Sequence, residues 1–100
     1  MWHYTFRVIK TFADKRTKEL YENGQSKRFP PGIWARTLRK LAYLDPATSV
    51  IDLKVPPSNR LHKLDRDRAG QYSITVNDQG RVCFRFEDGD AYDVEMTDYH

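Results

Sequence analysis

The chain has 100 residues, 39% of them hydrophobic, 13% aromatic and 31% charged, the profile of one folded domain with a single core. No apolar run approaches the roughly 18–20 residues of a membrane span, and no secretory signal pattern opens the chain. The one cysteine, Cys83, excludes an internal disulfide and a multi-cysteine zinc site, so the expectation is an intracellular, cytoplasmic protein with no membrane contact.

Charge is uneven along the chain. Residues 1–68 hold 15 Lys/Arg against 7 Asp/Glu, and residues 69–100 hold 2 against 7, within a net charge of +3. Contact with a polyanion such as nucleic acid explains this, and so does a solvated surface with one basic and one acidic side.

The aromatic and β-branched stretch from Trp2 to Phe12 reads as an extended segment or edge strand. Asp14 is placed to cap a helix running to about Asn23, with Gly24 suited to the left-handed position beyond it. Its apolar stripe of Ala13, Thr17, Leu20 and Tyr21 is thin, so this helix depends on packing. Trp34, Leu38, Leu41 and Leu44 recur at helical spacing and predict a helix from about Pro31 to Leu44. Its other face carries Arg36, Arg39, Lys40 and Tyr43, read as the solvated side. Asp45-Pro46 ends the helix, and residues 48–53 are expected to form one short helical turn before Pro56-Pro57 extends the chain.

From Asn59 the period becomes two. Tyr72, Ile74 and Val76 alternate with Gln71, Ser73 and Thr75; Val82, Phe84 and Phe86 alternate with Arg81, Cys83 and Arg85; Tyr92, Val94 and Met96 alternate with Asp93, Glu95 and Thr97. Turn signals at Asn77–Gly80 and Asp88-Gly89 separate the three runs. The result is an antiparallel meander with one apolar face for two helices, joined by a short strand near residues 60–64: an α+β domain.

On the polar face, Arg81 and Arg85 fit an anion site or cross-strand pairing with Asp93 or Glu95. No phosphate loop, zinc-protease motif or calcium loop occurs, so neither a metal nor another cofactor is expected. His62 lies in the basic segment Asn59-Arg60-Leu61-His62-Lys63-Leu64, and His100 closes the chain in Asp98-Tyr99-His100. Histidine changes charge near neutral pH, and beside arginines it is suited to metal-free phosphodiester cleavage. The plainer alternative is a surface loop at His62 and a structural tether at the terminus.

The stretches Asn59-Arg60-Leu61-His62, Ala69-Gly70-Gln71-Tyr72-Ser73-Ile74, Val76-Asn77-Asp78-Gln79, Cys83-Phe84-Arg85-Phe86, Gly89-Asp90-Ala91-Tyr92 and Asp98-Tyr99-His100 resemble the HigB group of the RelE/ParE toxin superfamily, over about residues 8–100. The resemblance implies a RelE-like fold, with two N-terminal helices packed on an antiparallel sheet, as a single domain over residues 8–100. Residues 1–7 then look like an N-terminal extension from an alternative start, and His3 has no role. It also implies a ribosome-dependent endoribonuclease that cuts mRNA in the A site of the 70S ribosome, touching 16S ribosomal RNA. A HigA-like helix-turn-helix antitoxin would neutralise it, with operator DNA met only through that antitoxin.

Carried onto this chain, the family's catalytic group falls on His62, Arg81, Asp98, Tyr99 and His100. Arg60, Lys63, Arg66, Arg68, Arg85, Arg36, Arg39 and Lys40 are the candidate RNA contacts. Asp65 stands where many relatives have lysine, so Lys63, Arg66 or Arg68 would supply the missing charge. Gly80 stands where relatives usually have tryptophan, which is expected to loosen the start of the strand carrying Arg81. The alternative function is a ParE-like toxin that binds DNA gyrase without cutting RNA; a nuclease acting on free RNA is a third.

Overall fold

The computed structural model describes residues 9–98, the last of these in its backbone only. The expected strand before Ile9, the extension over residues 1–7, His3, Tyr99 and His100 lie outside the described residues.

Helix α1 (Lys15–Asn23) begins at Asp14, whose Oδ1 accepts from the Thr17 amide at 3.0 Å, and ends at Gly24, whose φ of 78° lets its N–H reach the Leu20 carbonyl. Pro31–Ile33 forms a 3₁₀ turn leading into α2 (Trp34–Leu44), so the predicted second helix has a tighter first turn. A second 3₁₀ turn covers Val50–Lys54. It opens with a capping box in which the Asp52 carboxylate accepts from the Thr48 and Ser49 amides, holding that carboxyl below its ordinary range.

The sheet comprises β1 (His62–Lys63), β2 (Gln71–Thr75), β3 (Gly80–Glu87) and β4 (Asp90–Asp98), all antiparallel and in chain order. Leu20 of α1 and Leu41 and Leu44 of α2 pack with Ile74, Val82, Phe84, Ala91, Val94 and Met96. Both helices therefore cover one face of the sheet and leave the other open. The outer edge of β4 is closed by the chain entering α1. Ile9 and Phe12 bridge in parallel to Ala91 and Val94, and the Met96 amide donates to Thr17 Oγ1 at 3.0 Å. Thr17, read from sequence as part of an apolar stripe, thus satisfies a strand edge that would otherwise be bare.

Two expectations need correction. Tyr92 does not share the core face with Val94 and Met96: a bulge at Asp93, whose φ is 54°, sets two residues of β4 against one of β3. Ala91 enters the core instead, and Tyr92 comes opposite Arg85 on the open face. The start of β3 is not loosened by Gly80. The Gly80 amide donates to Asn77 Oδ1 at 2.8 Å, its carbonyl accepts from Val76, and the Met96 methyl occupies the space a Cβ there would need.

Candidate active face

Register builds the site. Residues paired across antiparallel strands point to the same side of the sheet. His62 pairs with Ser73, Ser73 with Cys83, and Cys83 with Glu95, forming one transverse row. The neighbouring rows are Thr75–Arg81–Thr97 on one side and Gln71–Arg85–Tyr92 on the other. All three rows face away from the helices.

His62 is exposed at the edge of this face. Arg81 Nη1 donates to Ser73 Oγ at 3.4 Å, so the serine lies between the histidine and the arginine. Arg68 reaches over the face from the 3₁₀ turn at Arg66–Arg68 and donates to Gln71 Oε1 at 3.0 Å and Glu95 Oε1 at 2.9 Å. Arg85 donates to Asp93 Oδ2 at 2.9 Å, pairs with Glu87, and stacks over the Tyr92 ring at 5.1 Å. Its hydrogen bond to Asp93 is the main reason its guanidinium holds its proton more tightly than usual. Of the two roles open to these arginines, Arg85 takes cross-strand charge pairing. At the centre Cys83 is buried, which pushes its thiol up; a contact with Thr97 Oγ1 at 3.6 Å and the charges of Arg68 and Arg81 oppose that shift.

The other candidates are spread more widely. Asp98 ends β4 opposite Gly80, one residue beyond the Arg81–Thr97 pair, so β4 ends at the Arg81 end of the sheet. Arg60, at a φ of 47°, lines a cleft of about 260 Å³ with Ser58, Thr75, Asn77 and Asp78 at that same end. Lys63 pairs with Tyr72 and so points to the opposite side of the sheet from His62. Arg66 is exposed on its turn, and Arg36 and Arg39 are exposed on α2 in the helical layer.

Lys40 corrects the reading of α2 as simply wet on its basic side. It is only 9% exposed, and its Nζ donates to Asn59 Oδ1 at 2.7 Å. Burial lowers its pKa, and the charges of Arg39 and Arg36 add to that effect. Its ammonium is thus turned to Asn59 and not left fully in solvent.

Ser73, Glu95 and Asn59 were not singled out as functional from sequence. Alternation alone places Ser73 and Glu95 on the polar side, but their row with His62 exists only once the register is known. Asn59 is fully buried, and its Nδ2 donates to the Leu53 and Val55 carbonyls at 3.1 and 3.5 Å. Nothing in its composition or spacing distinguishes it from a loop asparagine. Among the described residues, no group of three or more His, Cys, Asp or Glu is arranged to hold a metal ion, and no helix is long and apolar enough to cross a membrane.

Comparisons with known proteins agree with one another. Residues 10–100 match a family described as "RelE-like toxin of type II toxin-antitoxin system HigB". The chain is 38% identical over 93 residues to "Endoribonuclease HigB" of Proteus vulgaris, covering 93% of this chain and all of that protein. It is 40% identical over 81 residues to "Toxin HigB-1" of Vibrio cholerae, covering 80% and 85% respectively. Among solved structures, the fold is similar to a chain of the YoeB–YefM complex from Staphylococcus aureus, with a TM-score of 0.54 and 16% identity over 92% of this chain and 97% of that one.

Proposed function

This chain belongs to the HigB-like family of RelE-type toxins of type II toxin–antitoxin systems, and we propose that it is an endoribonuclease that stops translation by cutting mRNA in the ribosomal A site. The observation that carries this reading is the open face itself. An exposed histidine and an arginine flank one serine, and β4 ends at Asp98, one residue beyond the partner of that arginine.

In this reading His100 takes the proton from a ribose 2′-OH, and the O2′ atom attacks the adjacent phosphorus. The P–O5′ bond breaks, leaving a cyclic phosphate and a 5′-hydroxyl. His62 protonates the leaving oxygen or holds the phosphate, and Tyr99 orients the RNA. Arg81 stabilises the negative charge that develops on the phosphorane; positioned charge of this kind is typically the largest catalytic contribution. No metal ion is assigned a part. The basic residues away from this centre, Arg60, Arg66, Arg36 and Arg39, meet ribosomal RNA or the antitoxin. The cytoplasm is the place of action. An antitoxin is the second partner, as YefM is for YoeB in the solved complexes, and a HigA-like helix-turn-helix protein is the proposed one.

The test is primer extension on a defined mRNA, with and without programmed 70S ribosomes, using the wild type and His62→Ala. Because His62 is exposed, its loss should leave the fold intact while lowering cleavage by about 10²–10⁴-fold. Cuts within A-site codons only when ribosomes are present support the proposal. Cuts in both lanes make the protein a nuclease of free RNA. No cuts in either lane overturn the proposal and direct attention to DNA gyrase.

A further inference from the structure

The open face carries its own anion. Glu95 stands in the same row as His62, Ser73 and Cys83, and its carboxylate binds Arg68 at 2.9 Å. Arg68, Arg81 and Glu95 all act on the Cys83 thiol, the arginines as nearby positive charges and Glu95 as a nearby negative one. The three charges therefore converge over one buried residue at the centre of the sheet. The Arg68 and Glu95 side chains are 39% and 22% exposed, respectively. At that exposure water screens the pair, and its hold is weak.

A guanidinium donates to a carboxylate and to a phosphate through the same planar array of N–H groups. We propose that Glu95 is a built-in counter-ion that holds Arg68 through Nη1 until an RNA phosphate displaces it, so that this pair sets the affinity of the face for RNA. The proposal rests on the RNA-cleaving reading above and adds a residue that tunes it. Asp65 gives the pair its importance. Asp65 is itself a carboxylate and Lys63 lies on the other side of the sheet, while Arg68 from the same segment reaches the central row. Gln71 holds the same Arg68 nitrogen from the neighbouring row, so the guanidinium remains over the face when Glu95 lets go.

The experiment measures binding of a fluorescent single-stranded RNA oligonucleotide, made uncleavable by 2′-deoxy substitution, by anisotropy at several salt concentrations. The proteins are wild type, Glu95→Gln, Arg68→Gln, the double variant and Glu95→Asp. Glu95→Gln should bind about three- to fivefold more tightly, the range of an exposed ion pair, and its salt slope should steepen by about 0.7 for one added phosphate contact. Arg68→Gln should weaken binding and erase the gain from Glu95→Gln, while Glu95→Asp should show no gain. A gain that persists undiminished without Arg68 overturns the proposal, because Glu95 would then repel RNA without acting through that arginine. Equal binding by wild type and Glu95→Gln also overturns it, and leaves the nuclease reading standing. Failure of all five proteins to bind the oligonucleotide overturns the counter-ion proposal, and the primer-extension result on programmed ribosomes separately decides the nuclease reading.

Discussion

Replacing Asn59 by alanine should unfasten the segment that carries His62, and the size of the effect follows from three contacts. Asn59 is fully buried; it accepts from the Lys40 ammonium at 2.7 Å and donates to the Leu53 and Val55 carbonyls. Losing the acceptor for a nearly buried ammonium costs about 1.5–3 kcal/mol, and leaving the Leu53 carbonyl without its donor adds about 1–3 kcal/mol. The longer Val55 contact adds little. A total near 3–5 kcal/mol is expected, a large share of the roughly 5–15 kcal/mol that holds a domain of this size. At about 4–5 °C per kcal/mol, the melting temperature should fall by about 12–25 °C. Urea unfolding of Asn59→Ala, Lys40→Met and the double variant measures the coupling. Lys40→Met removes the charge whose partner was lost, so the double variant should recover at least about 1 kcal/mol relative to the sum of the singles. Destabilisation of Asn59→Ala below about 1 kcal/mol, or additivity within about 0.5 kcal/mol, would refute the bridge.

Gly80→Trp should destabilise the protein by about 1–3 kcal/mol because the Met96 methyl already fills that space. Met96→Ala in the same chain should relieve part of the loss, as read by urea midpoints. Asp52→Asn should lower the melting temperature at neutral pH by weakening the capping box. Because the folded Asp52 carboxyl lies below its unfolded value of 3.8, its stabilisation is complete above that value and fades as pH falls through the lower folded one. The gap between wild type and Asp52→Asn should therefore close in melts taken at increasingly acid pH. Asp65→Lys should raise the cleavage rate on programmed ribosomes severalfold by adding a cation next to the turn that carries Arg68; an unchanged or lower rate would show that Arg68 already meets the need.

Local signals made most of the architecture legible. Asp14 and Gly24 mark the ends of α1 because one side chain can satisfy a free amide and one backbone can turn left-handed at low cost. Alternation and the Asp88-Gly89 turn give β2, β3 and β4, and the run of Leu38, Leu41 and Leu44 gives α2. The residue stretches shared with the HigB group pointed to the toxin family, which the family match over residues 10–100 shows. Each of these signals depends on a residue and its near neighbours in the chain.

What the tertiary structure decided involves partners distant in sequence. Lys40 and Arg39 are adjacent on one helix, yet only Lys40 is buried, because Asn59, 19 residues later, supplies an oxygen at its tip. Tyr92 leaves the core because the bulge at Asp93 reverses the side of the sheet that each preceding residue faces, and a period-two pattern has no means of announcing an extra residue. Lys63 and Arg68 are equally basic in the sequence, but β1 turns Lys63 away while the following turn brings Arg68 back over the face to Glu95. Sequence determined which residues could carry charge and which segments would be helix or strand. Strand register and burial decided which of those charges share a surface, because both depend on contacts that form only when the whole chain has folded.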